Sequence, residues 1–137
     1  MSEGALDGNC QGEQISTETA RLALQHDLVV GTFGIILPQD FDTTRRYLHI
    51  LDVGTANGHW LHEVSEILSE RDTATLIGTD IAPCPETEET VIVHDFRTPF
   101  SAAWKGTFDL VQLRAVLANV PANEAVDLVR RSVELLK

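Results

Sequence analysis

Cysteine is scarce in this sequence, and its two cysteines fit no pattern that cross-links a chain or binds a metal. Cys10 and Cys84 are the only ones among 137 residues, and their spacing matches no metal-binding or redox motif. A disulfide-stabilised secreted domain is therefore not expected. The simplest expectation is a reducing compartment inside the cell, which means the cytoplasm, with the nucleus also open.

Basic residues are also few. Lysine and arginine together number 10 against 21 aspartates and glutamates, which gives a formal net charge of -11 at pH 7. A surface of this charge repels a phosphate backbone, so we expect no nucleic-acid partner. The alternative explanation for this negative charge is that it only keeps the protein soluble.

Long apolar runs are missing as well. No run approaches the roughly 20 residues that a membrane-spanning helix needs, so we expect no membrane association. The first 14 residues are polar and acidic and lack the apolar core of a signal peptide. The apolar share of 43% and the charged share of 23% are typical of one soluble domain, or most of one, with a buried core.

The most informative segment spans residues 49–60, with the sequence HILDVGTANGHW. The segment begins as an apolar stretch, passes through Asp52, Gly54 and Gly58, and then continues directly into an amphipathic helical pattern. This order predicts a strand, a tight turn and a helix N-terminus, the junction at which α/β sheets bind nucleotide-like cofactors. The negative charge of Asp52 disfavours a pyrophosphate there and favours a cationic sulfonium or ammonium group.

The rest of the chain divides into three predicted regions. Residues 1–15 form a disordered tail, residues 16–44 a helical cap that begins at Ser16 or Thr17, and residues 45–137 an α/β domain. The predicted strands fill residues 45–53, 73–81, 90–94 and 108–113. The predicted helices fill residues 58–70 and 122–137, with one helical turn near residues 101–104 and a loop at residues 82–90.

Strands separated by helical or long connections pair in parallel through right-handed crossovers. The expected fold class is therefore α/β, a Rossmann-like, doubly wound and mostly parallel sheet. The expected sheet ends after its fourth strand and the helix that follows. Because four strands are few for such a sheet, and the last helix stops abruptly at Lys137, we expect a C-terminal part to be missing.

Both predicted helices carry an apolar stripe at helical spacing. In the first, the stripe that we expect to be buried consists of Trp60, Leu61, Val64, Ile67 and Leu68. In the last, it consists of Val126, Val129, Val133 and Leu136.

An acid stands at or just beyond the end of three predicted strands: Asp52, Asp80 and Asp95. The carboxyl ends of parallel strands line one edge of a sheet, so these carboxylates are expected to converge on one crevice. Asp80 lies a little over 20 residues beyond the glycine turn, where a strand-end carboxylate accepts hydrogen bonds from ribose hydroxyls. Asp95, or the backbone beside it, would accept from an adenine amino group.

Four segments give this pattern a family resemblance: residues 51–60 (LDVGTANGHW), 77–83 (IGTDIAP), 108–114 (FDLVQLR) and 21–26 (RLALQH). Together they resemble the class I S-adenosylmethionine-dependent methyltransferases. Within that class they are most similar to the LaeA-like methyltransferases of fungal secondary metabolism. Two departures stand out: Ala56 replaces the family's middle glycine, and relatives continue beyond Lys137.

The resemblance implies S-adenosylmethionine as the cofactor and a small-molecule methyl acceptor. It assigns the methionine end of the cofactor to the glycine-rich turn, the ribose to the second strand, the adenine to the third, and the substrate opening to the fourth. The cofactor-binding residues that follow are Asp52, Gly54, Thr55, Gly58, Asp80, Ile81, Asp95, Phe96 and Gln112, with Arg114 beside them. The helix that contains Gln25 and His26 would lie across the pocket.

Methyl transfer from a sulfonium is a direct displacement, so no catalytic nucleophile is required, and the catalytic residue stays unassigned. His26 remains open as a base, with helix packing as the alternative. His59, His62 and Glu63 do not form the His-Glu-x-x-His pattern of zinc proteases, so we expect no metal.

Three other interpretations remain. The chain could be a catalytically silent methyltransferase-like regulator or subunit that binds a protein partner or a second copy of itself, since an incomplete sheet exposes an edge strand. It could be an inactive fragment of a longer enzyme. A nicotinamide-dependent dehydrogenase is the weakest, because the glycine spacing departs from Gly-x-Gly-x-x-Gly.

Overall fold

The computed structural model describes residues 8–34, 37–83, 91–114 and 116–137. The chain forms two compact units, divided between Gly34 and the residue that follows it, and each is described by itself. The expected loop at residues 82–90 lies mostly outside the described residues, as does the start of the expected tail at residues 1–7.

The first unit is helix α1, Gly8–Phe33. The sequence predicts a disordered tail through residue 15, but residues 8–15 are helical, and Ser16 lies inside the helix and does not cap it. The correction has a physical reason, because glutamine and glutamate, frequent in this stretch, are good helix formers. The helix ends at Gly34, whose φ of 64° is the left-handed conformation common just beyond a helix C-terminus.

Among the described residues, α1 is the longest helix, and neither it nor a shorter one combines the length and apolar character needed to cross a membrane.

The second unit contains a four-stranded parallel sheet. Its strands are β1 (His49–Val53), β2 (Thr75–Asp80), β3 (Val91–Val93) and β4 (Leu110–Gln112), and its helices are α2 (His59–Ile67) and α3 (Ala122–Val133). The strand order is β3-β2-β1-β4, and every neighbouring pair is parallel. The predicted α/β, Rossmann-like fold class with a parallel sheet is confirmed.

β1 is shorter than the predicted strand at residues 45–53. Tyr47 has a φ of 57°, which is left-handed and cannot continue an extended strand. The predicted helical turn near residues 101–104 is present as Ala102–Trp104.

Apolar side chains pack on both faces of the sheet, as a doubly wound fold requires. One layer contains Ile50 of β1 together with Trp60 and Val64 of α2. The other contains Leu51 of β1 with Phe108 and other apolar side chains. The predicted buried stripe of α2 is confirmed in part, because its members Trp60, Val64 and Leu68 are buried whereas Ile67 is exposed.

The prediction for α3 is wrong about which face is buried. The valine stripe is exposed, with Val126 at 70% and Val133 at 59% of their accessible surface. The buried positions are Leu128 and Ser132 within the helix and Leu135 just beyond it. Both stripes have helical spacing, so periodicity cannot tell which one is buried.

Candidate functional site

The three predicted acids lie at the carboxyl edge of the sheet. Asp52 is in β1, Asp80 is the last residue of β2, and Asp95 follows β3 by two residues. The backbone N–H of His94 donates to the carbonyl of Asp80 at 2.9 Å, so the segment that leads to Asp95 is paired with the end of β2. The edge therefore carries all three acids on neighbouring strands.

Asp52 is buried, with 5% of its surface exposed. Burial raises the pKa of its carboxyl to about 7, and the negative charge of Asp80 acts in the same direction. The nearby Thr55 hydroxyl and the Arg114 guanidinium oppose the shift. A cation placed beside Asp52 would favour its ionised form, because opposite charges attract strongly in a poorly solvated site.

The turn after β1 bends through three residues with left-handed backbone: Gly54 (φ 72°), Ala56 (φ 54°) and Gly58 (φ 73°). Glycine adopts this conformation freely, whereas alanine at φ 54° is strained by about 1–2 kcal/mol. The left-handed backbone at this position therefore suits glycine better than Ala56.

Hydrogen bonds fasten this turn to the end of β2. The N–H groups of Gly54 and Thr55 both donate to the Thr79 carbonyl, at 2.8 and 2.9 Å. The N–H of Ala56 donates to Oδ2 of Asp80 at 2.9 Å. The glycine turn and the acid predicted to bind ribose therefore form one connected structure, a link that the sequence did not indicate.

Asp80 also accepts a hydrogen bond on its other oxygen, Oδ1, from the N–H of Ala82 at 3.0 Å. Each carboxylate oxygen can accept two hydrogen bonds, so both oxygens keep capacity for ligand hydroxyls. The two backbone donors fix the orientation of the carboxylate while its side chain remains half-buried.

Thr55 supplies a buried hydroxyl beside the Asp52 carboxyl, whose pKa it lowers by a hydrogen bond. The residue also lies against Gly78, because a Cβ built on Gly78 would be 2.6 Å from Cγ2 of Thr55. A hydroxyl that donates to a carboxylate keeps lone pairs, so the Thr55 oxygen can still accept a hydrogen bond from a ligand.

The carboxylate of Asp95 is paired with an arginine, which leaves the backbone beside it as the other predicted contact for adenine. Arg97 binds it with two side-chain hydrogen bonds, from Nε to Oδ1 at 3.0 Å and from Nη2 to Oδ2 at 2.9 Å. Hydrogen bonds from Arg97 hold the pKa of Asp95 below its usual range. Sequence reasoning missed this partner, although an arginine two residues after an aspartate was a visible signal.

The other predicted site residues are placed as follows. Gln112 pairs in register with Asp52, so the end of β4 adjoins the buried acid. Phe96 is half-buried and packs on the apolar layer around Phe108. Ile81 is exposed directly after β2.

Two further pairs of residues named in the sequence analysis lie in helices, one pair in α1 and the other in α2. Gln25 and His26 lie in α1, the separate helical unit, so their position across the pocket stays a prediction. His59 Nε2 lies 3.4 Å from Glu63 Oε1, an i,i+4 pair on α2.

The chain resembles proteins that are named N-methyltransferases. They include N-methyltransferase sirN of Leptosphaeria maculans, 38% identical over 126 residues, which are 88% of this chain and 43% of the relative. N-methyltransferase gliN of Aspergillus fumigatus is 36% identical over 129 residues, again 88% of this chain and 43% of the relative. N-methyltransferase tcpN of Claviceps purpurea is 35% identical over 130 residues, 89% of this chain and 45% of the relative.

The chain spans less than half the length of these relatives. A match over 88% of 137 residues includes residues 52–112 wherever it begins, so the candidate residues of the carboxyl edge lie within it. No protein-family model matches the chain.

Proposed function

We propose that this chain forms the S-adenosylmethionine-binding part of a class I, LaeA-like methyltransferase that transfers a methyl group to a nitrogen of a small molecule. The observation that carries the proposal is the buried Asp52 beside a glycine turn that Asp80 holds in place. The nitrogen acceptor is carried over from the names of the relatives.

The carboxyl edge has groups suited to each part of this cofactor. Asp52 and the buried Thr55 hydroxyl suit the cationic methionine end, since both can accept hydrogen bonds from an ammonium group. Asp80 suits the ribose hydroxyls, because its carboxylate is oriented and keeps free lone pairs. The segment that contains Phe96 suits the adenine ring.

The cofactor supplies a methyl group that is already activated as a sulfonium. The residues of this chain then have to bind and orient it and to exclude water. The acceptor nitrogen must be neutral to attack, because an ammonium nitrogen has no lone pair. The acidic edge would attract the protonated form of such an amine, and the group that removes its proton before the transfer is unassigned.

Calorimetric titration with S-adenosylmethionine and with its product, S-adenosylhomocysteine, tests the proposal. We expect binding of both by the 137-residue chain. Absence of binding at millimolar ligand would overturn the proposed function.

Asp80→Ala is expected to weaken binding by about 1–3 kcal/mol, because the ribose hydroxyls lose a charged acceptor. Asp72→Ala is the matched control, since Asp72 is an exposed aspartate in the short helical turn before β2. Asp80→Asn separates binding from folding. Its amide oxygen can still accept from one backbone N–H and so support the turn, whereas the negative charge that the ribose hydroxyls would meet is lost. Equal affinity of Asp80→Ala and the wild type would contradict the ribose assignment.

A second candidate is a non-catalytic subunit that acts through a second copy of this chain. Two observations favour it: β4 is an edge strand of the described sheet, and the valine stripe of α3 is exposed. Size-exclusion chromatography with light scattering distinguishes the two. A monomer that binds S-adenosylhomocysteine would favour the enzyme, whereas a dimer without ligand binding would favour the subunit.

A further inference from the structure

Arg131 connects α3 to the loop that follows β3. Its Nη1 donates to the carbonyl of Thr98 at 2.6 Å, and its Nη2 donates to the carbonyl of Phe96 at 3.1 Å. Its Nε donates to Oδ2 of Asp127 at 2.8 Å, and its guanidinium lies 5.7 Å from the centre of the Phe100 ring. The Arg131 side chain itself is only 16% exposed.

The loop itself is closed by short-range bonds. The N–H and the hydroxyl of Thr98 both donate to the carbonyl of Asp95, at 2.9 and 2.7 Å, and the Asp95 carboxylate binds Arg97. These bonds fix the shape of the loop but do not attach it to α3. The described hydrogen bonds that make this attachment are those of Arg131.

Apolar packing attaches this loop to the core, because Phe96 and Phe100 pack on the apolar layer around Phe108. A cavity of about 260 Å³ separates the loop from α3, and it is lined by Phe96, Arg97, Leu128 and Arg131 among others. Because side chains do not fill this space, a directional contact is needed to fix the backbone of the loop relative to α3. A planar guanidinium that donates to two carbonyls is such a contact.

We propose that Arg131 is a positioning residue for adenine recognition, because it fixes the backbone of the loop that contains Asp95 and Phe96. This inference rests on the proposed function, in which that loop flanks the adenine. Arg131 itself contacts the loop and α3, and it affects adenine binding through the position of Phe96.

The test compares affinity for S-adenosylhomocysteine with affinity for S-inosylhomocysteine, in which a carbonyl oxygen replaces the adenine amino group. We expect Arg131→Met to weaken S-adenosylhomocysteine binding by at least about tenfold and to reduce the preference for adenine. Arg131→Lys should be intermediate, since an ammonium cannot reproduce the two-carbonyl geometry. Arg130→Met is the matched control, because Arg130 is exposed and also pairs with Asp127.

A purely structural role for Arg131 would lower the melting temperature and weaken both ligands equally, leaving the preference unchanged, and that result would overturn the inference. If Arg131→Met does not fold, Arg131→Lys decides by the same comparison. Failure of the wild-type chain to bind S-adenosylhomocysteine would overturn the proposed function and the inference with it. Wild-type binding with an unchanged preference in the variants would overturn the inference alone.

Discussion

Asp52→Asn is expected to stabilise the fold at pH 8 by roughly 2–4 kcal/mol and to leave its stability near pH 4 unchanged. The reason is the burial of this carboxyl, which raises its pKa to about 7 from an ordinary value of 3.8. Between these two values the unfolded chain has lost the proton that the folded chain retains. The wild type therefore loses stability as pH rises through this window, and the full loss of about 4 kcal/mol is reached above pH 7.

Urea unfolding of the wild type and Asp52→Asn at intervals from pH 4 to pH 8.5 measures this difference. An asparagine has no charge to desolvate, so its contribution to stability is independent of pH in this range. Asp40→Asn is the control, because Asp40 is an exposed aspartate outside the sheet. A constant difference between wild type and Asp52→Asn across the range would contradict the raised pKa.

The same substitution is expected to remove the pH dependence of cofactor binding. A cation beside Asp52 binds its ionised form more tightly, so wild-type affinity for S-adenosylmethionine should rise toward pH 7, by up to about tenfold per pH unit, and then level off. Asp52→Asn should bind weakly at every pH. Asp52→Asn thus raises stability and lowers ligand affinity, as expected where a fold retains a destabilising buried carboxyl for function.

The elements that could be predicted from the sequence are those whose signals are local. Apolar runs that end in Asp52 and Asp80, followed by glycine-rich or proline-rich turns, are enough to predict two strands and the sheet edge at which both end. The hydrogen bond from Ala56 to Asp80 was beyond such reasoning, because it depends on how a left-handed turn is positioned against the next strand.

Sequence-based prediction fails where two local patterns compete, or where the partner of a residue is distant in the sequence. In α3, Val129 and Leu128 belong to two stripes of equal periodicity, and only the tertiary packing selects Leu128 for burial. Asp109 shows the second limit: its nearly buried carboxylate accepts from the N–H of His49 at 2.9 Å and from Nζ of Lys137 at 2.7 Å. A sequence pattern gives no reason to join residues so far apart in the chain.

Gly54→Ala is expected to destabilise the fold by about 2–5 kcal/mol through two separable effects. One is backbone strain, since Gly54 has a φ of 72°. The other is a clash, because a Cβ on Gly54 would lie 2.4 Å from Cγ1 of the buried Val116. Gly58→Ala isolates the first effect: its φ of 73° is nearly the same, but nothing lies within 4 Å of its Cβ, so we expect a loss of about 1–2 kcal/mol.

A double-mutant cycle with Val116→Ala isolates the second effect. Val116→Ala alone leaves a cavity and is destabilising, but it removes the atom that the new Cβ would strike. The free energy of unfolding of the double variant should therefore exceed the additive value by about 1–3 kcal/mol. Additive behaviour would mean that the turn moves away from the loop after β4 at little cost. In that case the close approach of Gly54 to Val116 would not be what requires glycine at this end of the site.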